Sequence, residues 1–182
     1  MLTGTLTTLR QIRDGDLELL WQRHADIDDR GLYFPIGVMS WPKFARQYSE
    51  NGFWSEEEGM LVIADREGGI LGHIEFFRTA NYLDEFELSY QIYGKENRNR
   101  GVATEVVQLL TRYLFEKSKW NRIRLMIHPD NKASVRVAEK AGYTFESIAL
   151  GVWYNRGVNH DLAIYRILRR EWAALVAPSS AS

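Results

Sequence analysis

The order of apolar and polar positions along the 182 residues predicts an α+β domain. Strand patterns, which are either alternating or short and wholly apolar, occupy residues 6–12, 60–64, 70–78, 85–93, 122–127, 145–154 and 159–168. Helical patterns, with apolar residues three and four positions apart, follow Asp16 and Asn131 and fill residues 41–48 and 104–117. Most strands form hairpins around one strand–helix–strand unit. We therefore expect a mixed, mostly antiparallel central sheet flanked by about four helices.

The strand–helix–strand unit contains a candidate anion site. Its strand 85–93 leads through the loop Arg98-Asn-Arg-Gly-Val-Ala103 into the helix that follows. A helix N-terminus carries unpaired N–H groups and the positive end of the helix dipole, so a strand that enters a helix in this way predicts anion binding. We expect a pyrophosphate at residues 98–103.

The composition is that of a globular protein, with 45% apolar and 26% charged residues. We expect one domain over residues 1–172 and a disordered tail over residues 173–182. The formal net charge of -1 argues against nucleic-acid binding through a general basic surface. Since the chain has no cysteine, it has no disulfide, thiolate metal site or cysteine nucleophile. Neither a signal peptide nor a membrane-spanning run is recognisable, so the expected location is the cytoplasm.

Charged and aromatic residues are distributed unevenly. Residues 14–58 contain ten acidic and four basic side chains, whereas residues 95–136 contain four acidic and ten basic ones. The first segment could prefer a cation and the second an anion, or both could be ordinary solvated surfaces. Aromatic residues crowd the first segment, where they either line a substrate pocket or build core: Tyr33, Phe34, Trp41, Phe44, Tyr48, Phe53 and Trp54.

Six short motifs stand in an order that is typical of one superfamily. They are Phe86-Glu-Leu-Ser-Tyr90, Arg98-Asn-Arg-Gly-Val-Ala-Thr-Glu105, Asn131-Lys-Ala-Ser134, Lys140-Ala-Gly-Tyr143, Gly157-Val-Asn-His-Asp161 and Arg170-Glu-Trp172. Over residues 6–172 the chain resembles the GNAT superfamily of acyl-coenzyme A dependent N-acetyltransferases, within the branch typified by the alanine N-acetyltransferases of ribosomal proteins. The resemblance implies the GNAT fold, in which the two parallel strands of the sheet splay apart.

The resemblance also implies a set of coenzyme contacts, with acetyl-CoA as the cosubstrate and no metal. Main-chain N–H groups wrap the pyrophosphate at Arg98, Asn99, Arg100, Gly101, Val102 and Ala103. The pantetheine arm lies between the splayed strands, against the backbone of Tyr90, Gln91 and Ile92. Asn131 would hydrogen-bond the same arm, a role that can coexist with capping the helix that follows. Gly101 and Ala103 are small, which suits a close approach of the backbone to phosphate.

For the chemistry, the resemblance implies direct attack of an amine on the thioester within a ternary complex. Many members of the superfamily place a Tyr four residues before the Gly-aromatic pair to protonate or orient the thiol, and the corresponding residue here is Ala138. In the alanine N-acetyltransferase branch, the Ser of Asn-x-x-Ser takes this role. The match therefore implies that Ser134 orients the sulfur or relays a proton to it.

The base that deprotonates the amine is either one of three side chains or water. Glu87 stands at the Glu of the family's Glu-hydrophobe-Gly-Tyr pattern, with Ser89 in place of the Gly, and is the first choice. Glu75 and His73 on the preceding strand are alternatives, and by alternation they share one face. His160 and Asp161 are adjacent on a strand, so their side chains point to opposite faces and are not expected to act as a pair.

Two functions follow as alternatives. The first is acetylation of a primary amine on a small molecule or a protein N-terminus, and the acidic, aromatic first quarter favours a cationic acceptor. The second is a non-catalytic acyl-CoA sensor or protein-interaction module on the same fold. No nucleic acid and no membrane are expected as partners. Relatives often dimerise, so a homodimer is one option.

Overall fold

The fold comes from a computed structural model that describes residues 1–28 and 30–177. Its strands are β1 (Leu2–Thr3), β2 (Thr8–Gln11), β3 (Glu58–Ala64), β4 (Ile70–Arg78), β5 (Glu85–Ile92), β6 (Arg122–Ile127), β7 (Thr144–Asn155) and β8 (Val158–Leu168). Its α-helices are α1 (Leu17–Ala25), α2 (Trp41–Asn51), α3 (Val102–Lys117), α4 (Lys132–Lys140) and α5 (Arg169–Val176). Each predicted helix and strand is present, with its ends shifted by a few residues at most.

The strands form a single sheet in the order β1-β2-β3-β4-β5-β6-β8-β7. β5 and β6 pair in parallel, and the other neighbours are antiparallel. α3 connects the two parallel strands, because such strands need a long crossover. The predicted mixed, mostly antiparallel sheet is confirmed.

Alternation along β3 divides the apolar residues between two cores, one on each face of the sheet. Leu61 and Ile63 belong to the larger core, which includes the buried residues of α3 and Ala138 of α4. Val62 points the other way and packs with Leu20 of α1 and Phe44 of α2. Neighbouring residues of a strand point to opposite faces, so the sheet separates an α1–α2 side from an α3–α4 side.

The sequence patterns missed two elements at the ends of the chain. β1 has two residues, too few for any periodicity to be visible. The expectation of about four helices omitted α5, which Trp172 anchors by packing on Phe115 with ring centroids 5.4 Å apart. Because α5 reaches Val176, the predicted tail boundary at residue 172 is wrong for residues 173–176. Residues 178–182 of the predicted tail lie outside the described residues.

Arg169 ties the C-terminal end of α3 to the start of α5. Its guanidinium donates to the carbonyl oxygens of Phe115, Ser118 and Trp120, with Nη2 lying 2.8 Å from the Trp120 oxygen. The last carbonyls of a helix have no intrahelical partner, so a planar cation with several donors satisfies them well.

We expect the Arg169→Gln variant to lose about 2 kcal/mol of unfolding free energy, because hydrogen bonds from a charged donor contribute more than neutral ones. Urea denaturation measures this loss. Arg170→Gln is the matched control, since Arg170 is exposed on the same helix, and it should change the free energy by less than about 0.5 kcal/mol. Equal effects of the two substitutions would contradict the assigned role of Arg169.

Candidate active site

β5 and β6 separate soon after they begin to pair. Parallel pairing joins residues 85–87 to residues 122–124. Beyond Glu87, β5 continues to Ile92 with pairing to β4 on one side. The backbone groups of β5 that face the gap are therefore available to an extended molecule. The splay that the GNAT resemblance implied is confirmed.

Ion pairs cross the paired base of this fork. Glu85 lies 2.7 Å from Arg122 and 3.0 Å from Arg124, and Glu87 lies 2.9 Å from Arg124. The Glu85 side chain is only 6% exposed, so its attraction to the two guanidinium groups is screened less than at an open surface. These ion pairs thus hold β5 and β6 together where the gap begins.

The loop between β5 and α3 is shaped to leave backbone N–H groups open. Asn99 and Gly101 adopt positive φ values of 59° and 84°, and Gly101 is the N-cap residue of α3. The Glu105 N–H donates to the Gly101 oxygen, so the N–H groups of residues 102–104 have no acceptor within the helix. This is the anion-binding geometry expected from the sequence.

A cavity of about 690 Å³ extends from this loop along β5 and α4. Of the predicted coenzyme residues, all but Arg100 line it: Tyr90, Gln91, Ile92, Arg98, Asn99, Gly101, Val102, Ala103, Asn131 and Ser134. Asn97, Arg136 and Lys140 line it as well; no sequence pattern had indicated Asn97 or Arg136, and Lys140 had appeared only as the first residue of a family motif. The cavity has the donors, the open strand edge and the size for an extended phosphorylated cofactor.

A second cavity of about 580 Å³ lies beside the first one. Its walls include His73, Glu75 and Glu87. His73 pairs with Val62 across β3 and β4, which places it on the α1–α2 side of the sheet. Six residues line both cavities: Arg30, Tyr33, Phe34, Tyr90, Asn131 and Ser134. The two cavities therefore meet at the fork.

Tyr90 and Ser134 form a hydrogen bond where the cavities meet. Their hydroxyl oxygens are 2.7 Å apart, and burial raises the pKa of Tyr90 to about 12 although the Ser134 hydrogen bond opposes it. Asn131 caps α4 by accepting a hydrogen bond from the Ser134 N–H at 3.2 Å, which fixes the first turn that carries the serine. The sequence predicted Tyr90 for its backbone alone, so its phenol is an additional polar group at the site.

Ala138, which stands where many superfamily members have a Tyr, is part of the core. It is fully buried within the α3–α4 core. The alanine methyl group carries no atom that could exchange a proton. The hydroxyl groups at the fork come from Tyr90 and Ser134 instead.

Glu75 has a carboxyl group whose pKa lies near neutral. Burial raises its pKa to about 7, against the opposing charge of Arg30 and with a smaller contribution from Glu58. The side chain keeps 31% of its surface accessible and lines the second cavity. A carboxylate in such a position can exchange a proton with a ligand at neutral pH.

Glu87 also lines the second cavity, but it is bound to Arg124. Burial raises its pKa, whereas the charge and the hydrogen bond of Arg124 lower it. The Glu87 side chain is 16% exposed. Its carboxylate can therefore reach the cavity but is also part of the ion-paired base of the fork.

Two histidines of the second cavity are held neutral. Burial and then Arg30 lower the pKa of His24 to about 4, and burial, His24 and Arg30 lower the pKa of His73 to about 4. Arg30 Nη2 lies 2.6 Å from His24 Nδ1, and His73 Nδ1 lies 2.7 Å from the Tyr93 hydroxyl. His73 Nε2 is 3.7 Å from Glu75. Both imidazoles are therefore uncharged at neutral pH.

No sequence pattern indicated a role for Arg30, because this residue lies in an irregular loop between α1 and α2. It is 8% exposed and donates to the carbonyl oxygens of Pro35 and Gly37 at 2.6 and 2.7 Å. These bonds fold the loop over both cavities. The buried guanidinium also lowers the pKa of His24, His73 and Glu75, with burial as the larger cause for each of the three shifts.

The aromatic cluster of the first quarter divides between pocket and core. Tyr33 and Phe34 line both cavities, whereas Phe44 is buried and Phe53 packs on it with ring centroids 4.8 Å apart. The core interpretation is therefore correct for Phe44 and Phe53, and the lining of a substrate pocket stays a prediction for Tyr33 and Phe34.

His160 and Asp161 act separately, as expected. His160 Nδ1 lies 3.2 Å from His128 Nε2, whereas Asp161 accepts a hydrogen bond from the Gly151 N–H at 2.7 Å. Among residues 1–28 and 30–177, His, Asp and Glu side chains form no group of three or more that could hold a metal ion. No helix in these ranges is long and apolar enough to cross a bilayer.

The sequence and the fold match those of an enzyme family. The model of the acetyltransferase (GNAT) domain matches residues 7–144, and the chain belongs to this family of N-acetyltransferases. It is therefore an enzyme that uses acetyl-CoA as cosubstrate and transfers the acetyl group to an amine. The alternative of a non-catalytic sensor is not favoured.

Individual relatives agree with this assignment. The Bacillus subtilis protein named "Putative ribosomal N-acetyltransferase YdaF" is 32% identical over 72% of this chain and 68% of its own. The B. subtilis "Uncharacterized N-acetyltransferase YoaA" is 27% identical over 88% of this chain and 92% of its own. The fold is similar to that of spermidine N-acetyltransferase from Vibrio cholerae, solved with CoA and spermine, with a TM-score of 0.80 at 19% identity over 93% of this chain and 99% of the other.

The low pKa values of His24 and His73 predict a loss of stability in acid. Both groups bind protons more readily in the unfolded chain, where the pKa is about 6.5. The stabilisation is thus complete above about pH 6.5 and decreases as the pH falls toward 4. Imidazole NMR signals of both residues should not titrate between pH 6 and 8 in the folded protein, with the urea-unfolded chain as control. Titration of either ring near pH 6.5 would contradict the prediction.

Proposed function

We propose that this enzyme acetylates the α-amino group of a peptide or protein, by direct attack of the amine on acetyl-CoA within a ternary complex. The observation that carries the proposal is the meeting of two cavities at the Tyr90–Ser134 hydrogen bond. One cavity has the features that suit the coenzyme, and the other presents Glu75 to a second molecule.

The coenzyme binds in the first cavity. Its pyrophosphate accepts hydrogen bonds from the N–H groups of residues 99–101 and the first turn of α3, whereas the Arg98 N–H donates to the Lys95 oxygen at 3.2 Å. The pantetheine arm lies along the open edge of β5 at Tyr90, Gln91 and Ile92, and beside Asn131. This arrangement brings the thioester to the fork, where Tyr90 and Ser134 are within reach of it.

Glu75 acts as the base and Glu87 supports the site. The pKa of about 7 lets Glu75 accept a proton from an ammonium group at neutral pH. Glu87, the first choice from sequence, is bound to Arg124 at 2.9 Å; burial raises its pKa, and Arg124 opposes this rise. We assign Glu87 to holding the fork and the electrostatics of the cavity.

The amine nitrogen then attacks the thioester carbon, and the carbon–sulfur bond breaks as the tetrahedral intermediate collapses. The leaving thiolate takes a proton. Ser134 relays to the thiolate the proton that the attacking nitrogen loses as it becomes an amide, and Tyr90 orients the Ser134 hydroxyl through the bond of 2.7 Å. A serine alone is a weak acid, so the relay depends on its hydrogen-bonded neighbour.

The charge of the second cavity favours an acceptor with a single amine over a polyamine. Its carboxylates are Glu75 and Glu87, its cations are Arg30 and Lys43, and Arg124 neutralises Glu87. A ligand with several ammonium groups would meet no excess of negative charge there. The acidic count of the first quarter is thus a poor guide to this cavity.

The mouth of the site is apolar, which suits an acceptor that continues outside the cavity. Leu32, Val38 and Tyr33 line the cavities and are 67%, 62% and 39% exposed. Exposed apolar residues around a cleft are typical of a surface that binds a chain. The name of the YdaF relative, a ribosomal N-acetyltransferase, supports the same choice.

The carboxylate roles predict different pH profiles. For wild-type enzyme, kcat/KM rises toward a plateau above about pH 7 as Glu75 loses its proton. Glu75→Gln should lower kcat by about 100-fold and remove the limb near pH 7, because general base catalysis contributes a factor of this order. Glu87→Gln should lower kcat less and keep the limb. Stopped-time thiol-release assays measure all of these values.

Glu67→Gln is the control, since Glu67 lies on the exposed turn between β3 and β4. Ser134→Ala should lower kcat at unchanged acetyl-CoA affinity by calorimetry. If Glu75→Gln kept wild-type turnover and the same limb, the base assignment would be wrong. A Ser134→Ala enzyme with full turnover would remove serine from the mechanism.

An acceptor panel tests the substrate class. Thiol release should occur with peptides that begin with Ala or Ser and should exceed the rate with spermidine at equal concentration by roughly 10-fold or more in kcat/KM. Peptides blocked at the N-terminus are the control. A higher rate with spermidine than with the free peptides would replace the proposed acceptor by a polyamine, as the Vibrio cholerae structural neighbour suggests.

A further inference from the structure

Glu105, in the first turn of α3, is held by an unusually complete set of donors. Its Oε1 accepts from the N–H groups of Thr5 at 2.6 Å and Leu6 at 3.0 Å, and its Oε2 accepts from the Thr7 N–H at 2.8 Å. The hydroxyl groups of Thr5 and Thr7 add bonds of 2.5 and 2.7 Å. Successive backbone N–H groups that converge on one anion form a nest. Here the nest is the turn between β1 and β2, residues 4–7.

Gly4 makes room for this carboxylate. A Cβ at position 4 would lie 2.5 Å from Glu105 Cδ and 2.6 Å from its Oε2, which is far inside contact distance. The Gly4 N–H donates to the Thr7 oxygen at 2.9 Å and closes the turn. Arg66 Nε donates to the Thr5 oxygen at 2.8 Å from the other side. The 4–7 turn is therefore fixed between α3 and the β3–β4 turn.

The 4–7 turn also contacts the candidate coenzyme loop. Leu6 Cδ1 lies 3.4 Å from the position that a Cβ on Gly101 would take, and Gly101 is the N-cap of α3. Burial alone would raise the pKa of Glu105, but the hydrogen bonds from Thr5 and Thr7 lower it to about 2. The side chain is thus charged, and its charge is directed into the nest.

We propose that Glu105 and the 4–7 turn are positioning elements of the coenzyme site, which fix the first turn of α3 and the loop at Gly101 in the conformation that receives the pyrophosphate. The inference rests on the proposed placement of the pyrophosphate at residues 98–103. Glu105 acts through the helix and touches no substrate.

Electrostatics explain why the nest is needed. The N-terminus of α3 has a limited set of free N–H groups, and a carboxylate in the first turn competes with a bound anion for the same positive end of the helix. Glu105 has its own five donor groups, so the N–H groups of residues 102–104 stay available. A loosened Glu105 would both repel the pyrophosphate and release the loop.

Two substitutions test this role. Gly4→Ala inserts a Cβ into the nest, and Gly15→Ala is its matched control, because a Cβ at position 15 has no atom within 4 Å. Glu105→Gln keeps the shape but replaces one acceptor with a donor that faces N–H groups. We expect Gly4→Ala and Glu105→Gln to raise KM for acetyl-CoA about tenfold, the order of one charge-assisted hydrogen bond, with kcat within about twofold of wild type.

The split between KM and kcat distinguishes positioning from general stability. Kinetics are measured well below the unfolding temperature of each variant, and Gly15→Ala should have the wild-type KM. The proposal would be overturned if Glu105→Gln had an unchanged KM for acetyl-CoA. It would also be overturned if Gly4→Ala and Glu105→Gln differed from wild type in a lower unfolding temperature alone. Gly101→Val tests the placement of the pyrophosphate separately, since its φ of 84° disfavours any side chain. If Gly101→Val leaves KM unchanged, the proposed site itself is wrong.

Discussion

The separation of β5 from β6 after Glu87 is the constraint on which the rest of the structure depends. A parallel pair that continued to Ile92 would satisfy the backbone of β5 and close the gap between the two strands. The pairs of Glu85 and Glu87 with Arg122 and Arg124 hold the base of the fork closed. Above that base, the open edge of β5 and the N-terminus of α3 define one cavity, and the α1–α2 face of the sheet defines the other.

Burial and one buried cation together set the electrostatics of the site. Burial is the largest cause of the low pKa values of His24 and His73 and of the raised pKa of Glu75, and Arg30 lowers the pKa of all three groups. The histidines are therefore neutral, and Glu75 titrates near neutral pH because burial outweighs the opposing charge of Arg30. The same guanidinium organises the loop over the cavities through Pro35 and Gly37. Charge and shape of the second cavity are therefore set by the same side chain.

The sequence predicted those features of the fold and the site that depend on residues close together in the chain. The loop at Gly101, the cap at Asn131 and the parallel crossover all follow from neighbouring residues, and each is present. Contacts between distant segments had no such signal. The phenol of Tyr90 reaches Ser134 across 44 positions, and Glu105 reaches the 4–7 turn across about 100. Arg30 lies in an irregular loop, so its effect on Glu75 follows from the folded arrangement alone.

The shared wall of the two cavities has a consequence for how their two surfaces can change. Six residues line both cavities, and β5 and the loop between α1 and α2 contribute further residues to each of them. A substitution at one of the six shared positions therefore alters the surface of both cavities at once. The affinities for two ligands are coupled at these positions, because residues in contact with a common partner do not act independently.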